Sequence, residues 1–411
     1  MTSSWRTKRT IVMFAAVSVL AGSTARADVV TAWNQQVIAS GGPAIQRTLA
    51  MVHIAMFDAM NAVEREYKPY LHLPKPADDA LAEAAAASAA YGVLVRLFPS
   101  QQPTLAATLA TSLASVPNGP AKDDGVAFGD VVAQAIFDAR LADNILAAGP
   151  LFVNGTEPGE YRLTTPGPPQ PVNTGATSWV PFAMRTAWQF RPDGPPALTS
   201  ALYALDLNET QRLGGASSVE RTADQAQFAR WHTEMAQFQF NRIARAETEH
   251  DGRSQLEHAR LFALLNIAMA DAVTAVFDAK YTYRFWRPST AIRNADVDGN
   301  PDTFVDLTWS PFLTTPPHPE YPAAHGAVQG AGARVLTSYF GRHYAFQTTS
   351  PTVPGVTRSY ESFYDFAREG AAARIYGGMH FRNSLEAGST QGRQVADWVL
   401  ERYLRSKGKD E

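Results

Sequence analysis

Cysteine is absent from the 411-residue sequence. Without thiols the chain has no disulfide, no thiolate nucleophile and no zinc–thiolate site, so an exported form would depend on its core for stability. Charged residues make up only 18% of the chain, and the net charge is -3 at pH 7. We expect no nucleic acid partner, because binding to a phosphate backbone needs an excess of basic residues.

Long apolar runs are also absent after the N-terminal region, so we expect no membrane span in the mature protein. The N-terminal region has a basic start, a short apolar run over residues 11–20 and a small-x-small site at Ala25-Arg26-Ala27. This pattern predicts a signal peptide over residues 1–27 and a secreted or periplasmic protein. A retained N-terminal anchor is the alternative.

Strand-like alternation is scarce, whereas apolar residues recur at helical spacing over most of the chain. The predicted helical segments are 44–64, 78–97, 124–145, 219–245, 254–283, 323–340, 358–373 and 385–405. Pairs of proline and glycine interrupt any regular element between residues 146 and 198. The prediction is an all-α fold of two packed helical bundles, residues 28–145 and 199–411, with 146–198 as a long irregular connection.

Two of the predicted helices carry the same residues at an offset of 213. Segments 54–63 and 267–276 agree at seven positions, including Asp58 and Asp271. An ancient duplication would explain the match. The alternative is that two buried, alanine-rich helices have converged on similar residues.

A first cluster of candidate residues is KYTYRFWRP, from Lys280 to Pro288. Lys280 and Arg287 are seven residues apart, or two helical turns, so both would lie on one helix face. Pro288 disfavours helix at Arg287, which predicts a helix end there. Two cations among aromatic side chains favour an anion between them, and a solvated basic helix end is the alternative.

A second cluster is PPHPEYPAAHG, residues 316–326, which ends with His325. Pro322 is predicted as the first residue of a helix. The N–H groups of Ala323, Ala324 and His325 would then be free at the positive end of the helix dipole, where an oxyanion binds well. The alternative is a neutral histidine that caps a helix.

A third cluster is ARIYGGMHFR, residues 373–382. Gly377-Gly378 is predicted to break a helix between Arg374 and His380, so that the imidazole can turn back towards the guanidinium. An ordinary loop with a surface arginine is the alternative. Together the three clusters supply three cations, two histidines and a helix N-terminus, which suits a bound oxyanion.

The order of the three clusters resembles the signature of the vanadium-dependent haloperoxidases and the type 2 phosphatidic acid phosphatase superfamily. The matching residues are Lys280-x6-Arg287-Pro288, Pro322-Ala-Ala-His325 and Arg374-x5-His380. Segments 316–322 and 374–380 are more similar to the soluble, secreted haloperoxidase-like branch than to the membrane phosphatases. The resemblance implies an all-α fold with the active site in the second bundle.

The resemblance also implies a role for each residue. The implied binding groups for vanadate, or for phosphate in the same site, are Lys280, Arg287, Ala323, Ala324, Arg374 and His380. His380 would bind vanadium directly in a peroxidase or attack phosphorus in a phosphatase. His325 would be the acid–base group in either reaction.

Four positions depart from the family pattern. Ala323 and Ala324 stand where serine and glycine are usual, Ala373 replaces a serine, and Ser384 replaces an aspartate. The missing hydroxyl at Ala323 removes a hydrogen bond to a charged group, which contributes ~1.5–3 kcal/mol.

Three functions compete on this basis. The leading hypothesis is a vanadate-dependent haloperoxidase that uses hydrogen peroxide to oxidise halide and halogenates a small organic acceptor. The alternatives are a periplasmic acid phosphatase that hydrolyses phosphomonoesters through a phosphohistidine at His380, and an inactive oxyanion-binding protein. Phe285, Trp286 and His318 are candidates for the entrance, with simple packing as the alternative for the two aromatic residues. The sequence leaves a monomer and a homo-oligomer open.

Overall fold

A computed structural model describes residues 28–164 and 167–408. The predicted signal peptide, residues 1–27, lies outside the described residues. The helices before the connection are α1 (Val29–Ser40), α2 (Ile45–Glu64), α3 (Ala82–Leu97), α4 (Gln102–Ala114) and α5 (Pro120–Ala139). In this part α3 packs on α5, and both pack on α2.

The second part of the chain contains eight further helices and one hairpin among its described residues. The helices are α6 (Ala201–Gly214), α7 (Ala223–Trp231), α8 (Ala236–Thr248), α9 (Gln255–Tyr283), α10 (Pro288–Arg293), α11 (Ala324–Phe340), α12 (Phe363–Tyr376) and α13 (Arg382–Arg402). The hairpin pairs β1 (Phe346–Thr349) with β2 (Thr357–Tyr360) in antiparallel register. Helix α11 packs against α9, α12 and α13 and is the centre of this bundle.

Helices α2 and α9 pack on each other and join the two groups of helices. Helix α9 begins with a capping box formed by Ser254 and Glu257, which satisfies N–H groups at the helix start. By length and composition it could cross a membrane, but its most apolar stretch is entirely buried inside the protein. Its apolar surface is therefore explained by packing within the core.

The connection between α5 and α6 contains one short 3-10 turn, Ala176–Ser178, among its described residues. Its backbone is held by α9, because the Asp271 carboxylate accepts N–H groups from Phe182, Ala183 and Met184 at 2.6–2.9 Å. Further along the same helix, Asp278 forms an ion pair with Arg191. The connection is thus fixed on the surface of α9, the helix that carries Lys280.

The all-α class is confirmed, with the small hairpin as the exception. The predicted helix over 219–245 is wrong, because the chain turns between Trp231 and Ala236 and forms two helices. Helices α1, α4, α6 and α10 were not predicted. The division into 28–145, 146–198 and 199–411 remains a prediction.

Candidate active site

Helix α11 begins at Ala324, one residue after the start of the predicted segment 323–340 and two residues after Pro322. Ala323 is its N-cap and Ala324 its first residue, so Pro322 lies outside the helix. The N–H group of Ala323 is not free, since it donates to the Ser384 carbonyl at 3.0 Å. The prediction that this N–H group is free is therefore wrong, while the assignment of Ala323 to the oxyanion site stays a prediction. Ala324 and His325 do lie in the first turn, whose N–H groups have no acceptor within a helix.

His325 is turned into the protein from this first turn. Its Nε2 atom is buried without a hydrogen-bond partner among the described residues. Burial lowers the pKa of His325 well below its usual range, Arg374 lowers it further, and the His232 carbonyl opposes both. The ring is consequently neutral, and its Nε2 atom is available for a proton or a ligand.

Lys280 and Arg287 reach the same region by different routes. Helix α9 ends at Tyr283, and Arg284 adopts the left-handed conformation with φ 49°. Arg287 therefore lies beyond the helix, and the prediction of a shared helix face is wrong. Lys280 is fully buried, and its Nζ donates to the carbonyls of Pro319 and Glu320, each at 2.8 Å.

Arg287 connects the second and third clusters. Its Nε donates to the His318 carbonyl and its Nη1 to the Met379 carbonyl, both at 2.8 Å. The same Nη1 lies 3.0 Å from His380 Nε2. The segment 285–286, just before Arg287, is held by backbone contacts with residues 159–160 of the connection. The fully buried guanidinium of Arg287 is thus held between the His318 carbonyl of the second cluster and the Met379 carbonyl of the third.

Arg374 and His380 lie on either side of the turn between α12 and α13. Gly378 has φ +75°, and a Cβ atom there would lie 2.3 Å from the Gly214 carbonyl oxygen, so the turn requires glycine. Arg374 Nη1 donates to the His232 carbonyl at 3.2 Å, and Arg374 Nη2 lies 3.1 Å from Met379 Sδ. Its buried Nε has no partner among the described residues.

These contacts link all three clusters in one buried network. His325 and Arg374 share the His232 carbonyl, Arg374 and Arg287 meet at Met379, and Arg287 contacts His380. The predicted residues Lys280, Arg287, Ala324, His325, Arg374 and His380 are therefore brought together. Ala323 instead packs against Ala371, Ile375 and Leu385.

Burial and mutual repulsion dominate the electrostatics of this network. Burial lowers the pKa of Lys280 well below its usual range, and the neighbouring Arg287 lowers it further. Burial also lowers the pKa of Arg287 and that of Arg374 to about 10. Because these contacts set three basic side chains against one carboxylate, Glu320, a bound anion would relieve the repulsion.

The residues present fit a tetrahedral oxyanion such as vanadate. Within the described part of the chain, Arg374 Nε is a buried donor without a partner, and His325 Nε2 is a buried ring nitrogen without one. Arg374 Nε would donate to an oxygen of an oxyanion between them, and His325 Nε2 would accept from a protonated oxygen of the same anion. The donor set of guanidinium, ammonium and helix N–H groups suits an anion rather than a bare cation. Among the described residues, no cluster of acidic, histidine or cysteine side chains is arranged to hold a metal cation.

The sequence prediction assigned no role to two residues of the site, Glu320 and His232. Glu320 is fully buried, and its Oε1 lies 2.8 Å from His380 Nδ1. Its position in a proline-rich segment, between two candidate histidines, was a signal that could have identified it. His232 contributes its carbonyl, while its ring lies 3.1 Å from Glu369. Nothing in the local sequence distinguishes His232 from a packed core histidine.

The candidate entrance residues are mostly packed. Trp286 is fully buried and Phe285 nearly so, and Phe285 packs with Tyr203 and Phe381. His318 is buried and meets Arg287 Nη2 at 3.0 Å through Nδ1. A cavity of about 500 Å³ lies nearby, lined by Ser289, Arg293 and residues 310–315 among others. These contacts favour packing for both aromatic residues and place His318 in the network itself.

Comparisons with known proteins agree with this architecture. Residues 260–407 match the family model for the VCPO second helical-bundle domain. The chain is 25% identical to vanadium chloroperoxidase from Curvularia inaequalis over 461 aligned positions, which cover 84% of this chain and 74% of that protein.

Similar solved structures include a bacterial vanadium-dependent iodoperoxidase. It has a TM-score of 0.78 and 26% identity, with coverage of 93% of this chain and 96% of that one. A holo-type bacterial vanadium-dependent chloroperoxidase has a TM-score of 0.69 and 20% identity, with 91% of each chain covered. At this lower identity the likeness concerns the fold alone.

Proposed function

Because this chain belongs to the vanadium-dependent haloperoxidase family, we propose that it is a vanadate-dependent haloperoxidase that oxidises halide with hydrogen peroxide. The family relationship by itself supports an enzyme of the haloperoxidase type or of the related phosphatase type. The observation that carries the proposal is the meeting of Lys280, Arg287 and Arg374 in a buried site with two neutral histidines.

The three cations and the first turn of α11 would hold vanadate. Lys280 and Arg287 lie on the side of Glu320 and His380, while Arg374 lies on the side of His232 and His325. Bound vanadate would supply a Lewis acid that activates hydrogen peroxide towards attack by halide. Since the cations are already desolvated and fixed by backbone carbonyls, little reorganisation is needed to bind the anion.

The two histidines have separate tasks in this proposal. His380 presents Nε2 beside Arg287 and would be the protein ligand of vanadium. His325 has a free Nε2 and a pKa held low by burial, so it would accept a proton from hydrogen peroxide and later return it. The halide and a small organic acceptor would be the other substrates.

One pair of assays tests the proposal. Purified protein is assayed with and without orthovanadate for peroxide-dependent bromination and iodination, and in parallel for hydrolysis of a phosphomonoester. We expect orthovanadate to activate halogenation, with no phosphomonoester hydrolysis in its absence. Phosphomonoester hydrolysis that orthovanadate inhibits would establish the acid phosphatase instead. Inactivity in every arm, despite measured vanadate binding, would leave the inactive oxyanion-binding protein.

His380→Ala is expected to abolish vanadate binding, because it removes the imidazole beside Arg287 that is the proposed protein ligand of vanadium. Isothermal titration calorimetry with orthovanadate measures the loss. The matched control is His343→Ala, since His343 is an exposed histidine outside the network. Retention of wild-type affinity in His380→Ala would refute the assignment of the vanadium ligand.

We also propose that the protein acts outside the cytoplasm. The support is the pattern of residues 1–27, which has a basic start, an apolar run and a small-x-small site. Expression of the full chain, followed by fractionation and N-terminal sequencing of the mature protein, tests this. A mature chain that begins near Asp28 in the exported fraction is expected.

A further inference from the structure

The carboxylate of Glu320 is directed at the ring of His380. Glu320 is fully buried, and its Oε1 lies 2.8 Å from His380 Nδ1. The same oxygen accepts the N–H group of Phe381 at 3.0 Å. One carboxylate oxygen therefore contacts both the imidazole and the backbone that follows it, which fixes the ring relative to its own chain.

The backbone around Glu320 is itself held by the cations of the site. Lys280 Nζ donates to the carbonyls of Pro319 and Glu320, and Arg287 Nε donates to the carbonyl of His318. The Glu320 N–H group donates to the Phe285 carbonyl at 2.9 Å. The backbone that carries the Glu320 side chain is thus held in place by hydrogen bonds from Lys280 and Arg287 and to Phe285.

The contacts of His380 specify one tautomer. Arg287 Nη1 lies 3.0 Å from Nε2 and 3.5 Å from Nδ1, so it contacts the ring beside both nitrogens and not along the Nε2 lone pair. Glu320 Oε1 already accepts the Phe381 N–H group, and an ionised carboxylate can only accept from Nδ1 as well. In a neutral imidazole the proton then lies on Nδ1, which leaves the Nε2 lone pair for the oxyanion.

We propose that Glu320 is a positioning residue that holds His380 as the Nδ1–H tautomer and so presents the Nε2 lone pair to the bound oxyanion. Its significance for activity rests on the proposed function, whereas the tautomer itself does not. A carboxylate that accepts the remote N–H group of a ligating histidine fixes the ring and increases the basicity of the ligating nitrogen. Glu320 does both from the same segment that leads into α11.

Three variants separate positioning from a merely structural role. Glu320→Met removes the acceptor, while Glu320→Gln keeps an amide oxygen that can accept from Nδ1 but removes the charge. The matched control is Asp206→Asn. Asp206 is also a buried carboxylate that accepts a backbone N–H group, from Asn383 at 3.0 Å, and it makes no hydrogen bond to a histidine among the described residues.

The first measurement is the nitrogen chemical shifts of His380 in protein with 15N-labelled histidine, without vanadate or peroxide. His380→Ala assigns the signal. We expect a protonated Nδ1 in wild type, in Asp206→Asn and largely in Glu320→Gln, and a shift towards protonated Nε2 in Glu320→Met. A wild-type ring protonated on Nε2, or a Glu320→Met spectrum identical to wild type, would overturn the proposal. If Glu320→Met does not fold, the wild-type spectrum still decides the tautomer, and a partial shift towards protonated Nε2 in Glu320→Gln but not in Asp206→Asn assigns the effect to Glu320.

The second measurement is orthovanadate affinity by calorimetry. Loss of a partner of a ligating histidine typically weakens binding about 10–100-fold. We expect this loss in Glu320→Met, a smaller loss in Glu320→Gln and none in Asp206→Asn. Equal losses in all three variants would indicate a general effect of buried charge and would contradict the proposal. Absence of vanadate binding in wild type would refute the proposed function, while the tautomer result would still decide the role of Glu320.

Discussion

Ala323 is the N-cap of α11, and its methyl group offers no acceptor to the first turn. A serine hydroxyl at this position would cap the helix and could also donate to a bound oxyanion. We expect Ala323→Ser to tighten orthovanadate binding about ten- to hundredfold, since a hydrogen bond to a charged group contributes ~1.5–3 kcal/mol. Calorimetric titration of the wild type and the variant measures the change.

Leu81→Ser is the control for this change, because Leu81 is another N-cap without a side-chain hydrogen bond, at the start of α3. It adds a capping hydroxyl outside the network and should leave the vanadate affinity unaltered. Weaker binding in Ala323→Ser would mean that the added oxygen is crowded by Ala371, Ile375 and Leu385, on which Ala323 packs.

The residue types in three sequence segments were enough to identify most of the network. The local structure predicted for each segment did not explain how the segments meet. Lys280, Arg287 and Arg374 could be selected because cations and histidines cluster with proline and glycine in three segments. The shared helix face was wrong, because the left-handed Arg284 ends α9 and Arg287 is placed by pairing with the distant connection. Glu320 was not assigned, since no local pattern shows which ring a buried carboxylate will meet.

At the scale of elements, long periodic helices were predicted well and interruptions poorly. Helix α9 matches its predicted bounds within one residue at the start, since its apolar residues and capping box agree. The interruption between α7 and α8 has no strong sequence signal, yet it leaves the His232 carbonyl free to meet Arg374. The hairpin of β1 and β2 was missed because each strand has only four residues.

His258 in α9 links this helix to the start of α1 and to the segment just before α9. Its Nδ1 contacts Asp28, the N-cap of α1, and its Nε2 lies 2.9 Å from Asp251, just before α9. Burial lowers the pKa of His258, but the hydrogen bonds and charges of both aspartates outweigh burial, so the net pKa is raised. A histidine bonded to two carboxylates through both nitrogens donates from both, as the protonated ring does.

The sign of the resulting pH effect follows from linkage. Because the folded-state pKa is raised, His258 stabilises the fold fully below its unfolded pKa of about 6.5, and this stability is lost as the pH rises through the folded pKa. We expect His258→Gln to lower the free energy of unfolding by about 2 kcal/mol at pH 6 and by less at pH 9. Denaturant unfolding at several pH values measures the difference.

His343→Gln serves as the comparison, because His343 is exposed after α11. Its unfolding profile should follow that of wild type at every pH. If the difference in free energy of unfolding between wild type and His258→Gln is the same from pH 6 to pH 9, Asp28 and Asp251 do not hold a protonated His258.

At the scale of the whole molecule, the two helices with matching residues lie side by side at its centre. Asp58 in α2 accepts the N–H groups of Tyr70 and Leu71, and Asp271 in α9 accepts those of Phe182 to Met184. Each aspartate thus fixes an irregular segment on its helix. The segments are not equivalent in sequence, because one follows α2 closely, whereas the other precedes Asp271 by 87–89 residues. The duplication stays a prediction.

The charge of the whole chain is -3, yet the network concentrates buried positive charge at one place. An oxyanion that binds only the folded state stabilises it by mass action, by about 2.7 kcal/mol at a concentration 100 times its Kd. For a chain of this length, each kcal/mol raises the melting temperature by about 1 °C. We therefore expect saturating orthovanadate to raise the melting temperature by about 3 °C.

Calorimetric or fluorescence melting at constant ionic strength checks this shift. Sodium chloride at the same ionic strength should have little effect, because the cations are buried and screening acts mainly on exposed charges. Phosphate should raise the melting temperature as well and compete with vanadate, since both are tetrahedral oxyanions. His380→Ala should melt at the same temperature with and without vanadate. An equal shift in wild type and His380→Ala would show that vanadate stabilises the protein from another place, and the buried cations would then need a different partner.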